Sequence, residues 1–178
     1  RYQRRGDGRL NGVIAQYYCE LSQQMIAQQD YREAESLATQ ALNIDKNCVR
    51  ASIMLADLAI NRGRLQKAIR FLRQVEQQDV QMFPLVVKRL LQCYRNLSSL
   101  PKALAYLQAI DRKHPELPLL NQLVPLIEEL NGSQAAMDYL SDAATRRPSL
   151  SALKALVDAQ INQPAKQLGD CGGSIIPG

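Results

Sequence analysis

Four cysteines and one histidine are the side chains of this sequence best suited to metal binding or nucleophilic chemistry: Cys19, Cys48, Cys93, Cys171 and His114. A zinc site needs thiolates or imidazoles close enough to complete a tetrahedron. Here the cysteines are scattered widely along the chain with no C-x-x-C pair, so neither a metal nor a cofactor is expected in it. Cys93, within LLQCYRNL, has Leu90, Leu91 and Tyr94 for neighbours and reads as a small core residue. Cys48 lies in the turn Asp45-Lys46-Asn47-Cys48, and Cys19 is expected to face solvent on a helix, where its reactivity can be tested. His114 follows Asp111-Arg112-Lys113 and reads as a cation at a helix C-terminus. Glu128 and Glu129 are adjacent on a helix, so their carboxylates diverge and make no acid–base dyad. No glycine loop of the phosphate-binding kinds occurs, and the chain is expected not to be an enzyme.

The elements that would position these groups are helices. Of the 178 residues, 46% are apolar, enough for a core, but only 5% are aromatic, with no Trp and with Phe71 and Phe83 the two phenylalanines. Ala, Leu, Gln, Arg and Lys dominate, all strong helix formers. The net charge is +5, and Arg1, Arg4, Arg5 and Arg9 concentrate it at one end, which reads as a frayed, solvated terminus. Elsewhere both signs mix, so no nucleic-acid footprint is expected. The cysteine spacing is unlike a secreted disulfide framework and fits a reducing, cytoplasmic setting. No run of about 18 apolar residues could span a bilayer. No signal peptide opens the chain. Because the sequence starts on Arg1 rather than Met, it reads as a fragment of a longer chain.

Repetition then organises the whole sequence. YREAESLATQAL, RLQKAIRFLRQV, LPKALAYLQAI and SQAAMDYLSDAA align on Ala34, Ala68, Ala103 and Ala136. Their numbering recurs at about 34 residues, the period of a tetratricopeptide repeat. Four residues on stand Ala38, Leu72, Leu107 and Leu140, and three further on Ala41, Val75, Ile110 and Ala143, all on one helical face. Twelve residues before each landmark alanine come Ser22, Ala56, Leu91 and Val124. The first two are small and let paired helices approach closely, whereas the bulkier pair predicts splayed or shifted hairpins. Gly63 and Gly132 are placed to end helices in the left-handed conformation, and Ser133 to cap the next one.

The pattern predicts helices over 12–28, 31–44, 49–62, 65–78, 83–97, 100–113, 117–131 and 133–146, with a ninth over 149–162. Pro125 predicts a bend in the seventh, or a later start for it. The fold class is all-α, a right-handed α-solenoid of about four tetratricopeptide-type hairpins with a closing helix. Residues 1–11 read as a basic remnant of a preceding repeat, 12–164 as the repeat domain and 165–178 as a flexible Gly-rich tail. In such an array the first helix of each pair lines the inner surface. Its exposed positions are Gln16, Cys19 and Gln23, then Arg50, Ile53 and Asp57, then Lys88, Gln92 and Arg95, then Asn121 and Glu128. We take Gln23, Arg50, Asp57, Lys88, Gln92 and Arg95 as the candidate partner-binding groove, with Lys88 and Arg95 suited to an acidic peptide. Chaperone-binding repeats clamp a carboxylate with Lys and Asn where this chain has Cys19 and Gln23, which argues against that partner. Val13, Tyr17 and Tyr18 are candidates for an exposed apolar edge.

Particular combinations narrow the family. YYCEL, IDKNCVRASIM and LLQCY, together with ELNGSQAAMDYLSDAATRRPSL, resemble the later repeats of the lipopolysaccharide assembly protein B family, over roughly residues 10–165. The resemblance implies an adaptor anchored in the inner membrane and facing the cytoplasm. It implies a role in promoting degradation of the deacetylase LpxC by the membrane protease FtsH. Family members also end in a zinc-binding, rubredoxin-like ribbon. This chain departs there: GDCGGSIIPG keeps Cys171 but has Leu168 at the first knuckle position, so no zinc ribbon is encoded. A tetratricopeptide module with unrelated partners, or the repeat region of a glycosyltransferase, would carry the same periodicity.

Overall fold

The computed structural model describes residues 4–147 and position 155. Within them the chain is helical: α1 (Arg4–Ala27), α2 (Tyr31–Ile44), α3 (Val49–Asn61), α4 (Leu65–Gln78), α5 (Val87–Asn96), α6 (Leu100–Lys113), α7 (Leu120–Asn131) and α8 (Ser133–Arg146). A 3₁₀ helix, Val80–Leu85, precedes α5. The chain forms two compact units that divide after Gln122, within α7.

In the first unit α1 packs on α2, α3 on α4 and α5 on α6, and α2 and α4 also pack against the helix that follows each. The landmark positions are where the period puts them: Ala34, Ala38, Ala41, Ala68, Leu72, Val75, Ala103, Leu107 and Ile110 are all buried. Burying a side chain the size of Leu72 or Leu107 stabilises the fold by about 2–3 kcal/mol relative to leaving it in water. Ser22 and Ala56 are buried on the facing helices, and the Ser22 hydroxyl donates to the Ala34 carbonyl at 2.8 Å, so close approach leaves no orphaned hydroxyl. In the third hairpin Leu91 is only half-buried while Leu90 takes the interior position, and α5 and α6 approach less closely than the first two pairs. This looser approach is the splay that the bulkier side chain predicts. In the second unit Leu123, Leu126 and Ile127 of α7 and Ala136, Tyr139, Leu140 and Ala143 of α8 are buried, and Val124 is half-buried.

Three hairpin turns share one backbone design. The N–H groups of Gln29 and Asp30 reach back to Ile26 and Met25, those of Gly63 and Arg64 to Ile60 and Ala59, and those of Ser98 and Ser99 to Arg95 and Tyr94. This doubly bonded helix end requires a left-handed residue, and φ is 63° at Gln29, 68° at Gly63 and 51° at Ser98. Only the second of these has glycine. Gln29 and Ser98 are exposed, so replacing either with glycine removes left-handed strain without losing packing. Gln29→Gly and Ser98→Gly are each expected to stabilise the chain by about 0.5–1 kcal/mol. Gly63→Ala should destabilise it, although a Cβ there meets nothing within 4 Å. Urea unfolding midpoints of the three variants check both signs.

Several sequence expectations are corrected. α1 starts at Arg4, so Arg4, Arg5 and Arg9 lie on a helix rather than in a frayed end. The fifth helix starts at Val87 rather than 83, because Pro84 has no N–H and disfavours the α conformation at Phe83. The seventh starts at Leu120, beyond Pro118, and carries Pro125 in its interior. Ser133 does not cap α8: Gly132, at φ 89°, holds that place, and the Ser133 hydroxyl donates to the Glu128 carboxylate at 2.8 Å. His114 occupies the C-cap of α6, and its Nδ1 faces the Glu116 carboxylate at 3.5 Å. Pro148, the predicted ninth helix apart from position 155, the 165–178 tail and Cys171 lie outside the described residues.

Candidate docking cleft

The period places side chains of α1 and α3 in register. Gln16 and Arg50 hold equivalent positions in successive repeats, as do Gln23 and Asp57. These four, with Ile53 and Met54 of α3, line a cleft of about 610 Å³ in the first unit. Its remaining wall comes from where the repeats join: Asp45, Asn47 and Cys48 after α2 with Val49 opening α3, and Gln78 ending α4 with Asp79 and Met82 beyond it. Asp45 accepts from the Asn47 N–H at 3.0 Å, and Asp79 from the Gln81 N–H at 3.1 Å, so both turns are held by the same device. Gln78 donates to the Lys46 carbonyl at 2.7 Å, tying one turn to the end of α4.

Ion pairs between successive repeats fix the walls. The Arg50 guanidinium meets Glu20 at 2.6 Å, and Arg89 meets Asp57 at 2.8 Å. The hydrogen bond and positive charge of Arg50 hold the Glu20 carboxyl below the usual carboxylate range. Arg62, in the turn after α3, and Lys67 of α4 both reach Glu35 of α2, while Tyr106 and Lys113 of α6 reach Glu76 of α4 at 3.1 and 3.2 Å. Arg73 lies 4.1 Å from the centre of the Tyr106 ring, whose hydroxyl is pushed up by burial. Exposed pairs such as Arg89–Asp57, each side chain 44% accessible, contribute well under about 1 kcal/mol and serve to orient.

The cleft leaves an acidic balance. Asp57 is paired with Arg89 and Arg50 with Glu20, so Asp45 and Asp79 tip the balance, with the amides of Gln16, Gln23, Asn47 and Gln78 between them. Such a surface can accept from a cation and exchange hydrogen bonds with a peptide backbone, and Ile53, Met54 and Met82 add apolar contact.

Of the groove residues expected from the sequence, the structure brings Gln23, Arg50 and Asp57 together, with Gln16 and Ile53. Lys88, Gln92 and Arg95 lie exposed on α5 and do not line this cleft; Gln92 donates to Asn96 at 3.0 Å. Cys19 is a correction. It is fully buried, because Ala15, Cys19 and Ser22 share the inward face of α1, and its Sγ lies 3.7 Å from that of Cys48. Cys48 sits at the N-cap of α3. The two thiols share a hydrogen bond in which either sulfur can donate; with the Ala51 and Arg50 N–H groups it lowers Cys48, while the same bond and burial push Cys19 up. Cys93 is buried, as expected of a core residue, and burial raises its thiol. Sequence reasoning missed Asp45, Asn47, Gln78, Asp79 and Met82. The signal was present, since Asp45 and Asp79 themselves recur at the repeat period.

Val13 and Tyr17 are exposed beside Leu10 on α1, whereas Tyr18 turns inward onto the Ala15–Cys19 cluster. Among the described residues no helix is long and apolar enough to cross a membrane.

Helical hairpins at this period, carrying an inter-repeat cleft, define an all-α tetratricopeptide-repeat solenoid. The tetratricopeptide repeat family model matches residues 25–87, and the crystal structure of MamA protein superposes with a TM-score of 0.54 at 15% identity, covering 84% of this chain and 82% of that one. The chain is related to lipopolysaccharide assembly protein B. It is 29% identical to the Escherichia coli K12 protein over 150 residues, 84% of this chain and 39% of the relative. It is 33% identical to the Haemophilus influenzae protein over 156 residues, 85% of this chain and 38% of the relative. The chain therefore spans about two-fifths of the length of these relatives.

Proposed function

We propose that the chain is a protein-docking scaffold whose recognition surface is the cleft between α1, α3 and the 3₁₀ helix. The observation that carries this reading is the concave, amide-lined wall that two successive repeats build from equivalent positions. With Arg50 engaged by Glu20 and Asp57 by Arg89, the Asp45 and Asp79 carboxylates set the balance and favour an extended segment bearing a lysine or arginine. An acidic segment would have to dock elsewhere, at Lys88 and Arg95.

The kinship with lipopolysaccharide assembly protein B supports a narrower version. In it the chain is the repeat portion of an inner-membrane adaptor, facing the cytoplasm, that presents LpxC to the protease FtsH. The zinc ribbon of such an adaptor would lie outside this chain.

A pull-down with the full 178-residue chain, using the intact parent protein as positive control, tests both levels. LpxC or the cytoplasmic part of FtsH should be retained. The double variant Asp45→Asn/Asp79→Asn keeps the turn acceptors but removes two charges, and should weaken retention by about tenfold. Retention of neither protein removes the adaptor reading; equal retention by the double variant moves docking off the cleft.

A further inference from the structure

We propose that Cys19 and Cys48 form an oxidisable dithiol that opens on the cleft and is converted to a disulfide by hydrogen peroxide. The two sulfurs come from different repeats, one from the inward face of α1 and one from the N-cap of α3, and stand 3.7 Å apart. A disulfide closes sulfurs to about 2.05 Å, so the remaining approach of about 1.7 Å is within reach of small side-chain rotations. Burial holds the pair together: Cys19 is 0% and Cys48 3% exposed, so neither thiol has a competing orientation in solvent. Access comes from one side, because Cys48, not Cys19, lines the cleft. There the Gln16 amide donates to its sulfur at 3.7 Å.

The roles follow from this asymmetry. Cys48, which lines the cleft, is the sulfur that peroxide reaches and so the attacking one, and Cys19 behind it resolves. The Cys48 thiolate attacks one peroxide oxygen; the O–O bond breaks, and the departing hydroxide takes a proton to leave as water. Cys48 is then a sulfenic acid. Cys19 gives up its proton and attacks that sulfur, forming the S–S bond as the S–O bond breaks and a second water leaves. Two thiols lose two protons and two electrons, and one peroxide becomes two waters. The disulfide ties α1 to the start of α3 across the whole of α2, and so joins the two walls of the cleft covalently. This inference stands on the thiol geometry and does not require that the cleft dock a protein.

The test is peptide mapping of the full chain without reductant after exposure to a modest molar excess of peroxide. A Cys19–Cys48 linked peptide about 2 Da lighter than the sum of its parts is expected, with Cys93 still a free thiol. The oxidised chain should also melt several degrees higher, and dithiothreitol should reverse both changes. In Cys19→Ala the sulfenic acid at Cys48 has no resolving partner and should be trapped by dimedone; in Cys48→Ser, Cys19 should stay reduced. Unchanged thiols, links between separate chains only, or Cys48 driven to sulfinic acid with Cys19 still present would overturn the proposal. So would Cys93 reacting as fast as Cys48.

Discussion

Replacing Phe83 with alanine is expected to cost about 3–5 kcal/mol of folding stability. Phe83 is among the largest side chains with no exposure at all, and it stands in the 3₁₀ helix between α4 and α5. Its ring meets Tyr106 of α6 edge-on, with centroids 6.0 Å apart and planes at 84°. Truncation therefore removes both the buried area and a ring pair that fastens the second hairpin to the third. Leu85, two residues away, is 59% exposed, and Leu85→Ala should change stability by less than about 0.5 kcal/mol. Equilibrium urea unfolding of the two variants separates a packed segment from a surface loop. Equal midpoints would mean that the residues between α4 and α5 are not part of the core.

The second large effect concerns the landmark alanines. Ala103 is fully buried and Ala105, on the same helix, is exposed. Ala103→Leu must fit an added isopropyl group between α6 and the helices it packs on, at an expected cost of about 1–3 kcal/mol. Ala105→Leu makes the same chemical change on the solvent face and should stay within about 0.5 kcal/mol of the parent. At Ala68, where α3 and α4 approach more closely than α5 and α6, the cost of the leucine should be larger still. A thermal melt of the three variants ranks them. A result with Ala105→Leu the most damaging would reverse the assigned helix faces.

The architecture was legible because it is periodic. One small residue recurring at Ala34, Ala68, Ala103 and Ala136 fixes the inward face of each second helix, and the apolar positions four and seven residues after each alanine are all buried. The failures occur where a local feature outweighs the period. Pro84 and Pro118 delay two helix starts, because a proline constrains the residue before it as well as itself. Cys19 lies on the buried face rather than the exposed one because first helices carry more than one apolar stripe: they pack both on their own partner and on the next repeat. Gln29 and Ser98 take left-handed backbone without the glycine that would announce it.

The cleft was half legible. Gln23, Arg50 and Asp57 follow from the rule that first helices face inward, and the structure places them on one wall. Asp45, Asn47 and Asp79 belong to turns and Gln78 ends α4; Asp45 and Asp79 recur at the repeat period, but that turns enter the wall is decided by tertiary packing. Lys88, Gln92 and Arg95 obey the same helical rule but sit on α5, outside the cleft. The thiol pair was not legible at all, since the two sulfurs in contact belong to residues far apart in the chain.

Hydrogen exchange of the full chain, alone and with the protein retained in the pull-down, tests the docking cleft most directly. Amides of the 45–57 and 78–83 segments should slow on binding, with α1 around Gln16–Gln23 following, while the outer faces of α4 and α6 stay unchanged. Slowing confined to the Lys88–Arg95 stretch, with the cleft segments exchanging as before, would contradict it.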